Sequence, residues 1–84
     1  NFNQNINSWK FPKCKNLNLM FCNCNNFNQS LNNWDVSNIE NMECMFLYCK
    51  SFNQPLNSWI IPKNCKTKNM FEDCLRLQKE FYPK

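Results

Sequence analysis

The chain has 84 residues, 43% of them hydrophobic and 15% aromatic, with a formal net charge of +4. That is one small domain near the lower size limit for a self-sufficient core, too apolar for a disordered tail, and no stretch approaches the roughly 20 apolar residues of a membrane-spanning helix. There is no His, Gly or Ala against seven Cys and 18 Asn, which removes the commonest general base and metal ligand and every glycine-rich phosphate loop.

Three units follow one another without a gap at a period of 25. The first, residues 1–25, opens on Phe2-Asn3-Gln4 and carries Trp9, Met20-Phe21 and Cys24. It holds Lys10, Lys13 and Lys15 and no acid. The second, residues 26–50, repeats the same landmarks as Phe27-Asn28-Gln29, Trp34, Met45-Phe46 and Cys49, and matches the first at 10 of 25 positions. Here three acids face only Lys50. The third, residues 51–75, repeats them as Phe52-Asn53-Gln54, Trp59, Met70-Phe71 and Cys74. Residues 76–84 form a tail that reads as a partial further unit or a cap, with Phe81 in the column of Leu31 and Leu56. The charge alternates between units, unlike the continuous basic face of a nucleic-acid binder. The lack of an initiator Met reads as a fragment of a longer chain.

Each unit divides into two halves. In the first half, Leu31-x-x-Trp34-x-Val36-x-x-Ile39 has the leucine-rich-repeat spacing, and the Trp34-x-Val36 alternation is that of a short strand with both side chains on one face. In the second half, Met42, Met45, Phe46 and Cys49 lie at i, i+3, i+4 and i+7, the stripe of a short helix. Ser37 and Glu40 offer a capping box at its start. A sharp period of this length implies stacked units. The expected fold is therefore an α/β repeat solenoid, leucine-rich-repeat-like, of about three coils, each a short parallel strand plus a short helix. Without Gly, the turns fall to Asn, which tolerates a left-handed backbone; the columns Asn3, Asn28, Asn53 and Asn7, Asn32, Asn57 are the expected corners, their amides stacked in ladders. Stacking also sets Lys10 opposite Asp35, Lys15 opposite Glu40 and Glu43 opposite Lys68.

The string at 27–49, Phe-Asn-Gln-x-Leu-x-x-Trp-Asp-Val-Ser-Asn-Ile-x-Asn-Met-x-x-Met-Phe-x-x-Cys, resembles the repeat of BspA-like leucine-rich-repeat surface proteins, abundant in mycoplasma lipoproteins and present in protists and giant viruses. The outer units depart from it at Trp9-Lys10-Phe11-Pro12-Lys13 and Trp59-Ile60-Ile61-Pro62-Lys63. The resemblance covers essentially the whole chain. It implies surface display and protein–protein or adhesive binding, and it supplies no catalytic residue.

Chemistry has little to stand on. Cys24, Cys49 and Cys74 form one column and read as small buried filler; Cys22, Cys44 and Cys65 are the expected exposed thiols. Cys14, Cys22 and Cys24 fit no usual zinc spacing, and Glu72-Asp73 reads as a solvated edge. The expectation is a protein that is no enzyme and has no cofactor and no metal: a repeat scaffold for a protein partner or neighbouring repeats, binding no nucleic acid and not inserted in a membrane. A structural part of a large assembly such as a viral particle is the alternative, and a thiol redox or metal-binding module a third. Binding is expected on the outward residues of the strand half, Lys10, Asn33, Asp35, Ser58 and Ile60. So few coils bury little, so the isolated chain is expected to have low stability.

Overall fold

In the computed structural model, which describes residues 2–84, two sets of backbone hydrogen bonds repeat with the sequence. Asn1, the first residue of the first unit, lies outside the described residues. One set is local. Within the second unit, amides bond carbonyls three residues back at Leu31–Trp34 (3.0 Å), Val36–Ile39 (3.1 Å), Met42–Met45 (3.2 Å) and Phe46–Cys49 (3.0 Å). These are β-turns, and the other units repeat them, as at Ile6–Trp9 and Leu56–Trp59.

The second set joins units. The amides of Leu17, Leu19, Phe21 and Asn23 donate to the carbonyls of Asn41, Glu43, Met45 and Leu47 at 2.8–3.0 Å. Met42, Cys44, Phe46 and Tyr48 repeat this onto Lys66, Lys68, Met70 and Glu72. Among the described residues only Asn16, Asn41 and Lys66 are paired in the manner of a sheet, as isolated parallel bridges.

This architecture corrects the expected fold. The chain is not an α/β repeat solenoid of the leucine-rich-repeat kind: among the described residues the single helical element is the 3-10 turn Lys79–Phe81, and there is no sheet. Turns at Leu31–Trp34 and Val36–Ile39 break the strand expected across Trp34–Val36. The helix expected over 42–49 is absent for a different reason. Leu19, Asn23, Cys44, Tyr48, Asn69 and Asp73 have φ between 55 and 62°. A left-handed residue at the third place of each four-residue turn is the type II arrangement, and it forbids a continuing right-handed helix. Successive four-residue turns bury their first and fourth residues, so Met42, Met45, Phe46 and Cys49 are all inside. The spacing i, i+3, i+4, i+7 is common to a helix and to turns in tandem.

The corner columns are corrected too, since neither Asn3, Asn28, Asn53 nor Asn7, Asn32, Asn57 is left-handed. They act through their amides. Asn3 Oδ1 accepts the Asn28 amide and Asn28 Oδ1 the Asn53 amide, each at 2.9 Å, and Asn53 Oδ1 accepts the Gln78 amide at 3.3 Å. Asn7 Oδ1 takes the Asn33 amide and Asn32 Oδ1 the Ser58 amide.

Aromatic rings fill the interior. Phe27 stacks on Phe52 at 5.8 Å, Phe21 on Phe46 and Phe46 on Phe71 at 5.5 Å, and Phe21–Phe27 and Phe46–Phe52 link the two columns at 4.4 and 4.7 Å. Trp34 and Trp59 stack at 6.4 Å. The radius of gyration is 11.6 Å, near the roughly 12 Å of a compact chain of this length. No buried side-chain nitrogen or oxygen lacks a hydrogen-bond partner among the described residues.

Candidate interaction face

The face carrying Lys10, Asn33, Asp35, Ser58 and Ile60 is built from the turns around the Trp column. Trp34 and Val36 point inward, so Asp35 between them points out; Trp59 does the same for Ser58 and Ile60. All five expected binding residues are exposed. Two clefts run between the units. One, of about 150 Å³, is lined by Lys10, Phe11, Cys14, Asp35 and Ile39 among others. The other, of about 190 Å³, is lined by Trp34, Asp35, Ser37, Ser58, Trp59 and Ile60. Asp35 borders both.

The groups on this face differ in availability. Ser37 donates its amide to Asp35 Oδ1 at 3.0 Å, so Ser37 closes a turn on Asp35 and caps no helix. That bond, with the Ser37 hydroxyl and Lys10 adding to it, holds the Asp35 carboxyl below its usual range. The Ser58 hydroxyl is already engaged with Asn32, at 2.6 Å to Oδ1 and also with its carbonyl. Asn33 spends its amide on Asn7. Ile60 is 73% exposed and is flanked by backbone that pairs with the tail: Trp59 accepts from Lys84, and Ile61 donates to Lys84.

Of the three expected charge pairs, the described residues form one, Lys15–Glu40 at 3.8 Å between well-exposed side chains. Lys10 is felt at Asp35 without forming an ion pair, and Glu43 and Lys68 do not meet.

The Cys column is internal. Cys49 donates to the Phe21 carbonyl and Cys74 to the Phe46 carbonyl, both at 2.7 Å. The neighbouring Cys74 thiol and then burial push the Cys49 thiol up, while the same pairing draws Cys74 down; burial also raises Cys24 and Cys65. Cys22, Cys44 and Cys65, expected to be exposed, are half-buried. No group of three His, Cys, Asp or Glu side chains converges as a metal site among the described residues.

Sequence reasoning missed one apolar surface. Trp9 is 49% exposed although Trp34 and Trp59 are 4% and 1% exposed. It borders a cavity of about 260 Å³ with Phe2, Ile6, Met20, Phe21 and Cys24. The signal available was positional: the first member of a stacked column has no earlier unit within these 84 residues to cover it.

The pattern that defines the family described as "Mycoplasma protein of unknown function, DUF285" matches residues 1–82, and the chain belongs to that family. No curated protein and no solved structure matches the chain. The family match agrees with the mycoplasma side of the resemblance drawn from residues 27–49 and leaves its leucine-rich-repeat side without support.

Proposed function

We propose that the chain is a non-catalytic interaction module whose face at Lys10, Asn33, Asp35, Ser58 and Ile60 receives a protein partner, in line with the surface role that its likeness to BspA-like proteins implies. The observation that carries this reading is the exposed Ile60 side chain lining the Trp34–Trp59 cleft, which Asp35 lines as well. A large aliphatic residue next to a fixed charge suits a protein surface, where an apolar centre supplies affinity and a polar rim sets register. A phosphate backbone would instead demand several converging cations, and among these five residues Lys10 is the single cation.

The test is a photo-crosslinking residue placed at Ile60, and in parallel at Leu75, which is equally exposed at 74%. On the surface of the source cell and of its host, position 60 is expected to give a discrete protein adduct that Asp35→Lys abolishes. Equal, diffuse labelling from both positions sinks the proposal.

A further inference from the structure

The tandem turns set left-handed residues in two columns on the outer edge of the stack: Leu19, Cys44 and Asn69 in one, Asn23, Tyr48 and Asp73 in the other. Asn and Asp accept that backbone readily; Leu, Cys and Tyr bear strain there. Packing is the ordinary return for such strain, and on this edge it is missing. Leu19 is 53% and Tyr48 39% exposed. The half-buried side chains that pack on the core include Met20 and Phe71 from the same turns, but not Cys22, Cys44 or Leu47. Leu19 lies over Cys44 and Cys22 over Leu47 in successive units, so with Tyr48 the five make one apolar patch.

The patch belongs to the side of the stack and not to its ends. The second unit has a unit on each side: its Glu43 and Leu47 carbonyls accept from Leu19 and Asn23, and its Cys44 and Tyr48 amides donate to Lys68 and Glu72. Tyr48 stays open to solvent all the same. Asn23, Asn69 and Asp73, the other members of the two columns, are exposed as well. A further unit at either end prolongs this edge and leaves the columns facing outward.

Backbone and charge together define what fits the patch. In the second unit the ladder amides and carbonyls of the edge are already engaged with the neighbouring units, so there is no open ladder for an added strand, and recognition falls to side chains. That suits the apolar stripe of an amphipathic helix. The columns carry Leu47 onto Glu72 and Tyr48 onto Asp73, both acids exposed, and Glu43 precedes Cys44; Lys50 and Lys68 stand at the outer positions of the turns. Carboxylates set directly against apolar side chains attract cations and oppose an anionic lipid surface. We propose that the turn edge at Leu19, Cys44, Leu47 and Tyr48 docks a basic amphipathic helix of a partner protein. Its apolar stripe covers these side chains, and its Lys or Arg residues meet Glu72 and Asp73. Leu19 and Tyr48 are then anchors, kept at a strained backbone for contact. This edge is separate from the Ile60 face and stands or falls apart from it.

The experiment is fluorescence anisotropy with a labelled synthetic helix of Leu and Lys in amphipathic order, titrated with the 84-residue chain. A second helix has Gln in place of every Leu, and vesicles of phosphatidylglycerol are tested in parallel. The Leu–Lys helix is expected to bind the wild type. Leu19→Asn/Tyr48→Asn, which installs a residue type that both columns already hold, is expected to raise the apparent Kd at least about tenfold. Leu19→Asn alone is expected to raise the melting temperature while weakening binding, so stability and affinity move in opposite directions. Glu72→Gln/Asp73→Asn is expected to weaken binding at low salt and to flatten its salt dependence, and Ile60→Asn to leave affinity unchanged. Retained near-ultraviolet Trp signal certifies folding; if the double Asn variant loses it, Leu19→Asn carries the comparison. A folded Asn variant with wild-type affinity overturns the proposal. So does a Gln–Lys helix that binds as tightly, capture by the vesicles in place of the helix, or a loss from Ile60→Asn equal to that of the edge variant.

Discussion

The indole N–H of Trp59 donates to the backbone carbonyl of Leu31, 28 residues earlier, at 2.9 Å, and Trp34 makes the same bond to Ile6. A buried donor is thus satisfied only by the neighbouring unit, which couples side-chain packing to the spacing between units. Replacing Trp59 with Phe keeps an aromatic ring and deletes the donor. The expected loss is about 1 kcal/mol for the hydrogen bond, with a further contribution from lost volume. Trp34→Ala is expected to cost about 3–5 kcal/mol. Trp9→Phe, at a half-exposed ring with no such bond, is expected to be close to neutral. Urea denaturation followed by circular dichroism checks the order; a Trp9→Phe cost equal to that of Trp59→Phe would contradict it.

Asn28 sits in the middle of an amide ladder. Its side-chain oxygen accepts the Asn53 amide at 2.9 Å and the Gln54 Nε2 at 3.1 Å, while its own amide donates to Asn3. Asn28→Ala removes two acceptor bonds and is expected to cost about 1–2 kcal/mol. Asn28→Asp keeps the acceptor and is expected to recover most of that. Amide exchange at Asn53 reads the bond directly: the Ala variant should exchange faster there, and unchanged protection would show that the ladder bears no weight.

These columns mark where sequence reasoning reached and where it stopped. The period of 25, the inward Trp34 and Val36, the outward Asp35 and Ile60, and the burial of Cys49 and Cys74 are legible, because burial follows side-chain chemistry at fixed intervals. Secondary structure was not legible. The burial of Met42, Met45, Phe46 and Cys49 is served as well by two turns as by a helix, and only the backbone sign at Cys44 and Tyr48 separates them. Asn23, Asn69 and Asp73 in the same columns were the available hint, since those residue types favour left-handed turns, but Leu19, Cys44 and Tyr48 beside them concealed it. On the candidate face, the outward positions were readable from alternation; the Asn32–Ser58 and Asp35–Ser37 bonds, which decide which groups are engaged, were not.

Leu19 supplies a direct test of the turns. It has φ of 61° and is 53% exposed, so it bears the left-handed strain of a non-glycine residue and buries little in return. Leu19→Gly relieves that strain and is expected to stabilise the chain by roughly 0.5–1 kcal/mol after glycine's greater unfolded freedom is counted. Leu19→Val, with a β-branch at the same backbone, is expected to destabilise. In a right-handed helix the signs would be reversed for glycine, so thermal melting of these two variants separates the architectures.

Asp35 makes stability sensitive to acid. Its carboxyl is held below the usual range by the Ser37 amide, then by the Ser37 hydroxyl and Lys10. A depressed folded-state value means the contribution is present above the unfolded pKa, about 3.9, and is lost as pH falls through the folded value. Asp35→Asn is expected to flatten the acid limb of the stability curve below about pH 4, lowering stability at neutral pH by the carboxylate's contribution and converging on the wild type in acid. A variant curve with the wild-type acid slope would remove Asp35 from the account.

At the opposite end of the scale the buried thiol column takes over. Cys49 is fully buried, hydrogen-bonded to the Phe21 carbonyl, and its ionisation is pushed up by the neighbouring Cys74 thiol and by burial. A raised folded-state value means that stability is fully present below the unfolded thiol value, about 8.5. It is lost as pH rises from there toward the folded value, because only the unfolded chain can release the proton. Denaturant midpoints are therefore expected to fall above about pH 8.5. Cys49→Ala is expected to lower stability at neutral pH by leaving a small void and to reduce the alkaline slope. Alkylation gives the independent check: Cys49 should stay unmodified in the native chain at alkaline pH and react only with unfolding. Rapid native labelling of Cys49 would mean that the column is open to solvent and that its proton does not report on folding.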